Sequence, residues 1–344
     1  MRWDEGKQRW TSTWTFRANP HDPPLTHYDL ECRVTDPRNT LATAAAGVTL
    51  TQTVELRLKP FFAAAPWPLH SLIVCNTDGS DMLQVPTPSL LPSFVSVHPD
   101  GKTIAFTDTQ YAANEFHIWS INKDGSGLRR LTSATTMAAA GGYSPDGTTY
   151  AFTRGGRVCL MPACGEVDPT PGAAAQLPPQ SLAIPGGTTS WRRIGFNATS
   201  RKLIVTGRIN AGADEALFTY DRDLPGWHQL SLPPISRALT PNAIMYQACY
   251  SRDPATLNQL FCIYYTGSTW AMCLVNDDGS NLRPIVEPTG AGFLYSPALT
   301  RDNRGILYQA GSQVVHGDFN FATATASNPQ VISDGHNIHE IATW

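Results

Sequence analysis

The 344-residue chain sets 25 Lys and Arg against 28 Asp and Glu, a formal charge of −3 with only 15% charged residues. It therefore offers neither the basic stripe that nucleic acid requires nor a polybasic patch for an anionic bilayer. Hydrophobic residues make up 42%, enough for a sizeable core, and no run approaches the ~20 apolar residues of a membrane-spanning helix.

From the amino end, MRWDEGKQRWTSTWTF carries Trp and mixed charge where a secretory signal would carry an apolar run. Residues 1–47 are expected to form an N-terminal segment that either lends strands to a closing blade or reaches out to a neighbour in a larger assembly. Next comes VTLTQTVELRL, then LHSLIVC and an Asp78-Gly-Ser80 turn. This span, about 48–88, reads as a first sheet of short strands.

Residues 92–133 hold the fullest copy of a recurring phrase, SFVSVHPDGKTIAF followed by FHIWSINKDGSGLRRLT. Phe94-Val-Ser-Val97 alternates, His98-Pro-Asp-Gly101 supplies turn residues, and Thr103-Ile-Ala-Phe-Thr107 and Phe116-His-Ile-Trp-Ser-Ile121 read as further strands. Asn122-Lys-Asp-Gly125 turns the chain into a fourth, Leu128–Leu131. Later copies span about 137–184, 189–232, 242–287 and 292–333. The first turn recurs at Asp100, Asp146, Asn197, Asp253 and Asp302, with separations of 46, 51, 56 and 49 residues.

Four-stranded units of this size cannot bury their own faces, so they pack radially around an axis. The expected fold is all-β, a propeller of four-stranded antiparallel blades, with seven blades favoured and six the alternative. A last strand at 339–344 is expected to close the ring. No stretch of the array keeps a 3.6-residue period, so helix content should be very low.

The phrases VHPDGKTIAF…INKDGSGLRRLT and YSPDGTTYAFTR resemble the repeats of TolB-like β-propellers. The ending SDGHNIHEIATW is similar to that of plant and algal proteins called dipeptidyl-peptidase-IV N-terminal-domain-like. The resemblance assigns 48–344 to a TolB-like propeller and implies mainly protein-binding functions, with a minority of enzymes. No Gly-x-Ser-x-Gly elbow of an α/β-hydrolase occurs.

Several constellations invite chemistry. His336, His339 and Glu340 in GHNIHE could ligate a divalent metal, but on a strand positions 336 and 339 point to opposite faces, so polar turn and strand residues explain them better. Asn76, Asn122 and Asn276 open Asn-x-Asp-Gly-Ser phrases that suggest calcium loops, yet each lacks the first carboxylate. Cys159 and Cys164 have no zinc spacing and read as structural thiols. The seven scattered cysteines, with no export signal, favour a cytoplasmic, reducing compartment.

His98, His117 and His228 replace other residues at repeat positions without an evident acid to orient them. Trp191, Trp227, Trp270 and Trp344 fall near strand ends, and Trp191-Arg192-Arg193 is the most suggestive binding cluster, since Trp and Arg dominate interaction hot spots; packing between blades explains each Trp equally well. The Ala/Pro-rich stretch 167–184 reads as a loop.

The functional expectation is a non-enzymatic scaffold binding a protein or peptide through one face or the central channel, with Trp191, Arg192, Arg193, Trp227 and Trp270 as binding residues. No cofactor, no metal and no nucleic acid are expected. The alternative is a hydrolase or lyase acting on a glycan or peptide at the channel mouth, with His336, His339 and His98 as ligands or base.

Overall fold

The computed structural model describes residues 2–4, 9–11, 27–34, 48–55, 61–66, 70–110, 115–132, 138–154, 157–166, 180–182, 191–208, 215–223, 227–229, 244–251, 256, 258–265, 270–286, 294–300, 304–333 and 338–343. It divides into two compact units, Met1–Lys59 and Pro60–Trp344. In the first, β1 (Arg2–Asp4) pairs with β2 (Arg9–Thr11), both antiparallel. β3 (His27–Val34) pairs with β4 (Val48–Glu55) in unbroken register, from His27 opposite Glu55 to Val34 opposite Val48.

The second unit is built from four-stranded antiparallel sheets. The first blade takes β5 (Phe61–Pro66), β6 (Ser71–Asn76) and β7 (Leu83–Pro86). The second holds β8 (Pro92–Val97), β9 (Thr103–Gln110), β10 (Glu115–Asn122) and β11 (Arg129–Arg130). The third holds β12 (Ala138–Tyr143), β13 (Thr149–Arg154), β14 (Arg157–Pro162) and β15 (Gln180–Leu182). The fourth holds β16 (Trp191–Phe196), β17 (Lys202–Arg208), β18 (Glu215–Asp221) and β19 (Trp227–Gln229).

The fifth blade is β20 (Ile244–Tyr250), β21 (Gln259–Tyr265), β22 (Trp270–Asn276) and β23 (Arg283–Val286). The sixth is β24 (Leu294–Leu299), β25 (Gly305–Ala310), β26 (Gln313–Asn320) and β27 (Thr325–Ser333). The final strand, β28 (Ile338–Thr343), pairs with β5 and becomes the innermost strand of the first blade, giving the order β28-β5-β6-β7. Among the described residues there is no α-helix.

The blades number six, not the seven favoured from the sequence. Two features of the pairing account for the difference. Val48–Glu55 is zipped to His27–Val34 inside the first unit and supplies no blade strand. The carboxyl-terminal strand completes the sheet of Phe61–Pro86 rather than seeding a further one.

The innermost strands β8, β12, β16, β20, β24 and β28 pack each on the next, and β28 packs back on β8, which closes the ring. The core is likewise cyclic, because each pair of neighbouring blades encloses its own apolar cluster. Strand alternation makes this possible. On β9, Ile104 and Phe106 face the first blade's Leu72 and Val85, while Ala105 faces the third blade's Tyr150 and Phe152. On β17, Leu203 and Val205 pack toward the third blade and Ile204 toward the fifth. Full burial of a side chain such as Phe106 contributes roughly 1.5–3 kcal/mol, and each blade secures this on both faces only with a neighbour on each side.

Candidate functional site

Because the strands meander antiparallel, the turns joining first to second and third to fourth strands fall on one face. Asp or Asn side chains cap them. Asp100 Oδ1 accepts from the amides of Lys102 and Thr103 at 2.7 and 2.9 Å, and Asn197 Oδ1 accepts from those of Arg201 and Lys202 at 3.0 and 2.9 Å. The Asn-x-Asp-Gly-Ser copies share one geometry. Asp78, Asp124 and Asp278 each accept from the Ser amide two residues on, and Gly79, Gly125 and Gly279 adopt φ of 81°, 86° and 85°. Those carboxylates are spent on turn formation.

On the axis, every innermost strand carries one residue too many for its partner. Register slips occur at Ser93/Ser96, Ala139/Gly142, Trp191/Arg193, Met245/Gln247, Tyr295/Ala298 and Ile338/Glu340. In three of them a non-glycine residue takes a left-handed backbone: Phe94, Ala140 and Ser296, with φ of 48°, 50° and 50°. Such bulges turn backbone groups out of the sheet and re-aim side chains.

The six bulged strands wall a cavity of about 290 Å³ that runs from the bulges to the first turns, reaching Pro99, Pro145 and Ala198. Its wall mixes apolar side chains with backbone and hydroxyl groups, and its surface is about equally polar and apolar. Ser96 Oγ accepts from the Tyr143 amide at 3.0 Å, tying the second and third blades together beside it. Burial pushes the phenols of Tyr143 and Tyr250 up, with Asp277 adding to the effect at Tyr250, so both stay neutral. Among the described lining residues, Arg193 alone carries a fixed charge.

Arg193 lies at the end of the cavity away from the turns. It belongs to the fourth blade, yet its Nη1 donates to Pro297 O on the sixth at 3.1 Å and its Nη2 to Ile341 O on the first at 3.0 Å. The guanidinium thus spans the channel. Two of its five N–H groups are used in this way, and the other three have no partner among the described residues.

No protein-family model matches the sequence, and no curated protein matches it. The chain is similar to TolB from Acinetobacter baumannii, with a TM-score of 0.61 and 14% identity over 83% of this chain and 66% of that one. It is also similar to a putative TolB from Agrobacterium tumefaciens, with a TM-score of 0.56 and 12% identity over 83% and 92% of the two chains. A chain of a nidogen–laminin complex gives a TM-score of 0.60 and 12% identity over 83% and 98%. The shared fold is the β-propeller of these structures.

Within the propeller the candidate residues from the sequence separate. Trp191 opens β16, and Arg192 is the extra residue of its bulge; their side chains fall outside the described residues. Arg193 follows and crosses the channel. Facing them on the first blade, His339 is the extra residue of the β28 bulge and Glu340 the first back in register, opposite Ala65; their side chains, and all of His336 and Trp344, fall outside the described residues. Trp227 opens the outermost strand β19, where it pairs with Tyr220. Trp270 is buried, 8% exposed, in the cluster with Phe261, Leu294 and Tyr308.

His98 is held on the turn face. Its Nε2 lies 3.1 Å from Gly147 O, and its Nδ1 lies 3.1 Å from the Asp100 amide and 3.2 Å from Asp100 Oδ2. His117 is buried opposite Asp108 on the paired strands β10 and β9. Cys159 and Cys164 are not joined in a disulfide. Among the described residues no three His, Cys, Asp or Glu side chains converge as a metal site, and no helix is long and apolar enough to cross a membrane. Sequence reasoning missed the cavity and its carbonyls, Pro297 O and Ile341 O, because backbone acceptors carry no side-chain signature.

Proposed function

We propose that this chain is a binding propeller that takes a segment of a protein or peptide partner at its central cavity. The observation that carries the reading is the cavity itself: about 290 Å³, walled by all six innermost strands and headed by one guanidinium. That volume lies near the lower end of the ~300–1,000 Å³ typical of ligand sites. Trp191 and Arg192 precede Arg193 on the same strand, and residues of these types anchor many interfaces. One of the similar structures is a complex of two proteins, nidogen and laminin, which gives the reading a precedent on this fold.

Ala198 stands where the cavity meets the turns, so Ala198→Trp narrows the mouth without entering a core cluster. Leu83, 47% exposed on the outermost strand of the first blade, serves as a rim control. Affinity purification from the native source should return a stoichiometric partner with the wild-type chain and with Leu83→Arg, and lose it with Ala198→Trp. A partner retained by Ala198→Trp, or no stoichiometric partner at all, overturns the proposal.

A further inference from the structure

We infer that the group recognised in the cavity is a carboxylate, received by Arg193. The inference rests on the binding reading above and specifies its chemistry. A guanidinium presents five N–H donors in a planar fork, and Arg193 gives one from each terminal nitrogen to Pro297 O and Ile341 O. Those two bonds fix the plane of the group from two other blades, so its orientation is set before any ligand arrives. Preorganisation of this kind lowers the cost of binding. The remaining three donors have no partner among the described residues, and the described wall around them offers no competing acid or second base.

A planar, half-buried cation in a recess whose surface is about equally polar and apolar selects a planar anion, with room for a short apolar stem. Carboxylate fits the fork by two parallel charge-assisted hydrogen bonds, and the stem packs on wall residues such as Val95, Ile194 and Leu299. A short free probe makes few contacts beyond the fork, so it should bind weakly, in roughly the millimolar range of unassisted small anions.

The chain end and an acidic side chain present the same group, and three peptides separate them: Ac-Ala-Ala-Ala-OH, Ac-Ala-Ala-Ala-NH2 and Ac-Ala-Asp-Ala-NH2. Binding is read on the full chain by the 15Nε–1H signal of Arg193, assigned by its loss in Arg193→Lys, and by titration of each peptide. At least one acid peptide should shift that signal and bind about tenfold or more tightly than the amide peptide. Whichever acid does so names the source of the carboxylate. Ala198→Trp, which leaves Arg193 in place, should abolish the shift.

Equal binding of acid and amide peptides, an unmoved Arg193 signal at 50 mM probe (a ceiling about tenfold above the millimolar range expected), or a shift that survives Ala198→Trp overturns the inference. If a partner is nevertheless lost on narrowing the mouth, the cavity still binds and only its carboxylate chemistry falls.

Discussion

Arg193 and Ile341 stand on innermost strands of opposite blades, and the guanidinium of one reaches the carbonyl of the other at 3.0 Å across the channel. With the second bond to Pro297 O, one side chain ties the fourth blade to the sixth and to the first. The first blade is where the two ends of the ring meet, since β28 and β5 pair there.

Removing this tie should loosen the closure. Hydrogen bonds from a charged donor contribute about 1.5–3 kcal/mol when buried, and the partial exposure of Arg193 reduces that, so Arg193→Met should cost about 1–3 kcal/mol. Arg193→Lys should recover part of the loss, because a single ammonium cannot match the span of the fork. Denaturant midpoints at neutral pH measure both. A midpoint unchanged in Arg193→Met means the cross-channel bonds hold nothing.

His98 links the second blade to the third by a pH-dependent device. Burial disfavours its charged form, but the Asp100 carboxylate and Gly147 O outweigh this and leave its pKa above the ordinary 6.5. Asp100 moves the opposite way. Burial opposes its charge, yet the hydrogen bonds from His98, Thr103 and Lys102 hold it well below the usual carboxylate range. A raised imidazole value stabilises the fold fully below 6.5, and the contribution is lost as pH climbs through the higher folded value. The deficit of His98→Gln against wild type should therefore be larger at pH 6 than at pH 8.5 in paired thermal melts. A deficit constant or growing over that interval contradicts the assignment.

Much of this fold was legible because turn chemistry and alternation are written in side chains. Gly101 and Gly147 sit at φ of 67° and 71°, where only glycine is at ease. Even the degenerate Asn197-Ala-Thr-Ser200 keeps the shape, with Ser200 at φ 60° and Asn197 capping. The closing blade carries such a mark only at its outer hairpin, in Asp78-Gly79-Ser80. No turn joins β28 to β5, and Phe61-Phe-Ala-Ala-Ala-Pro66 has no β-branched residue, whereas Val48–Glu55 is rich in them and pairs elsewhere.

The site was half legible for a related reason. Arg193 stood out in Trp191-Arg-Arg193 as a residue type, but what it grips is backbone, and Pro297 and Ile341 announce nothing as acceptors. The six bulges were invisible as well, because an extra residue exists only relative to a partner strand. Trp270, expected near a strand end at the surface, does open β22, yet both faces of its blade are covered and the ring packs among Phe261 and Tyr308.

Lys202 and Asp277 fasten the fourth blade to the fifth. Lys202 Nζ lies 2.6 Å from Asp277 Oδ2 and donates to Asn258 Oδ1 at 3.1 Å, with the two charged side chains 26% and 12% exposed. Removing one partner of a fully buried pair costs about 3–5 kcal/mol, much of it from the charge left alone. With this much exposure Lys202→Met or Asp277→Asn should each cost about 1–3 kcal/mol. The double variant should cost clearly less than the two losses added together, as a double-mutant cycle in urea will read. Strict additivity would mean the two groups do not interact.

Gly141 is required by Tyr150. A Cβ at position 141 would lie 2.3 Å from the Tyr150 hydroxyl and 2.4 Å from Cζ, and the ring is fully buried between the second and third blades. Gly141→Ala should destabilise by about 1–3 kcal/mol through overpacking. In a Tyr150→Leu background, where the outer ring atoms are gone, the same substitution should cost much less. The hydroxyl itself has no hydrogen-bond partner among the described residues, so Tyr150→Phe removes a buried polar group at no loss and should leave the melting temperature equal or higher. Thermal melts of the four variants decide both points: a Tyr150→Phe that melts several degrees lower shows that the hydroxyl is bonded, and an equal cost for Gly141→Ala in both backgrounds shows that the ring is not what excludes the methyl group.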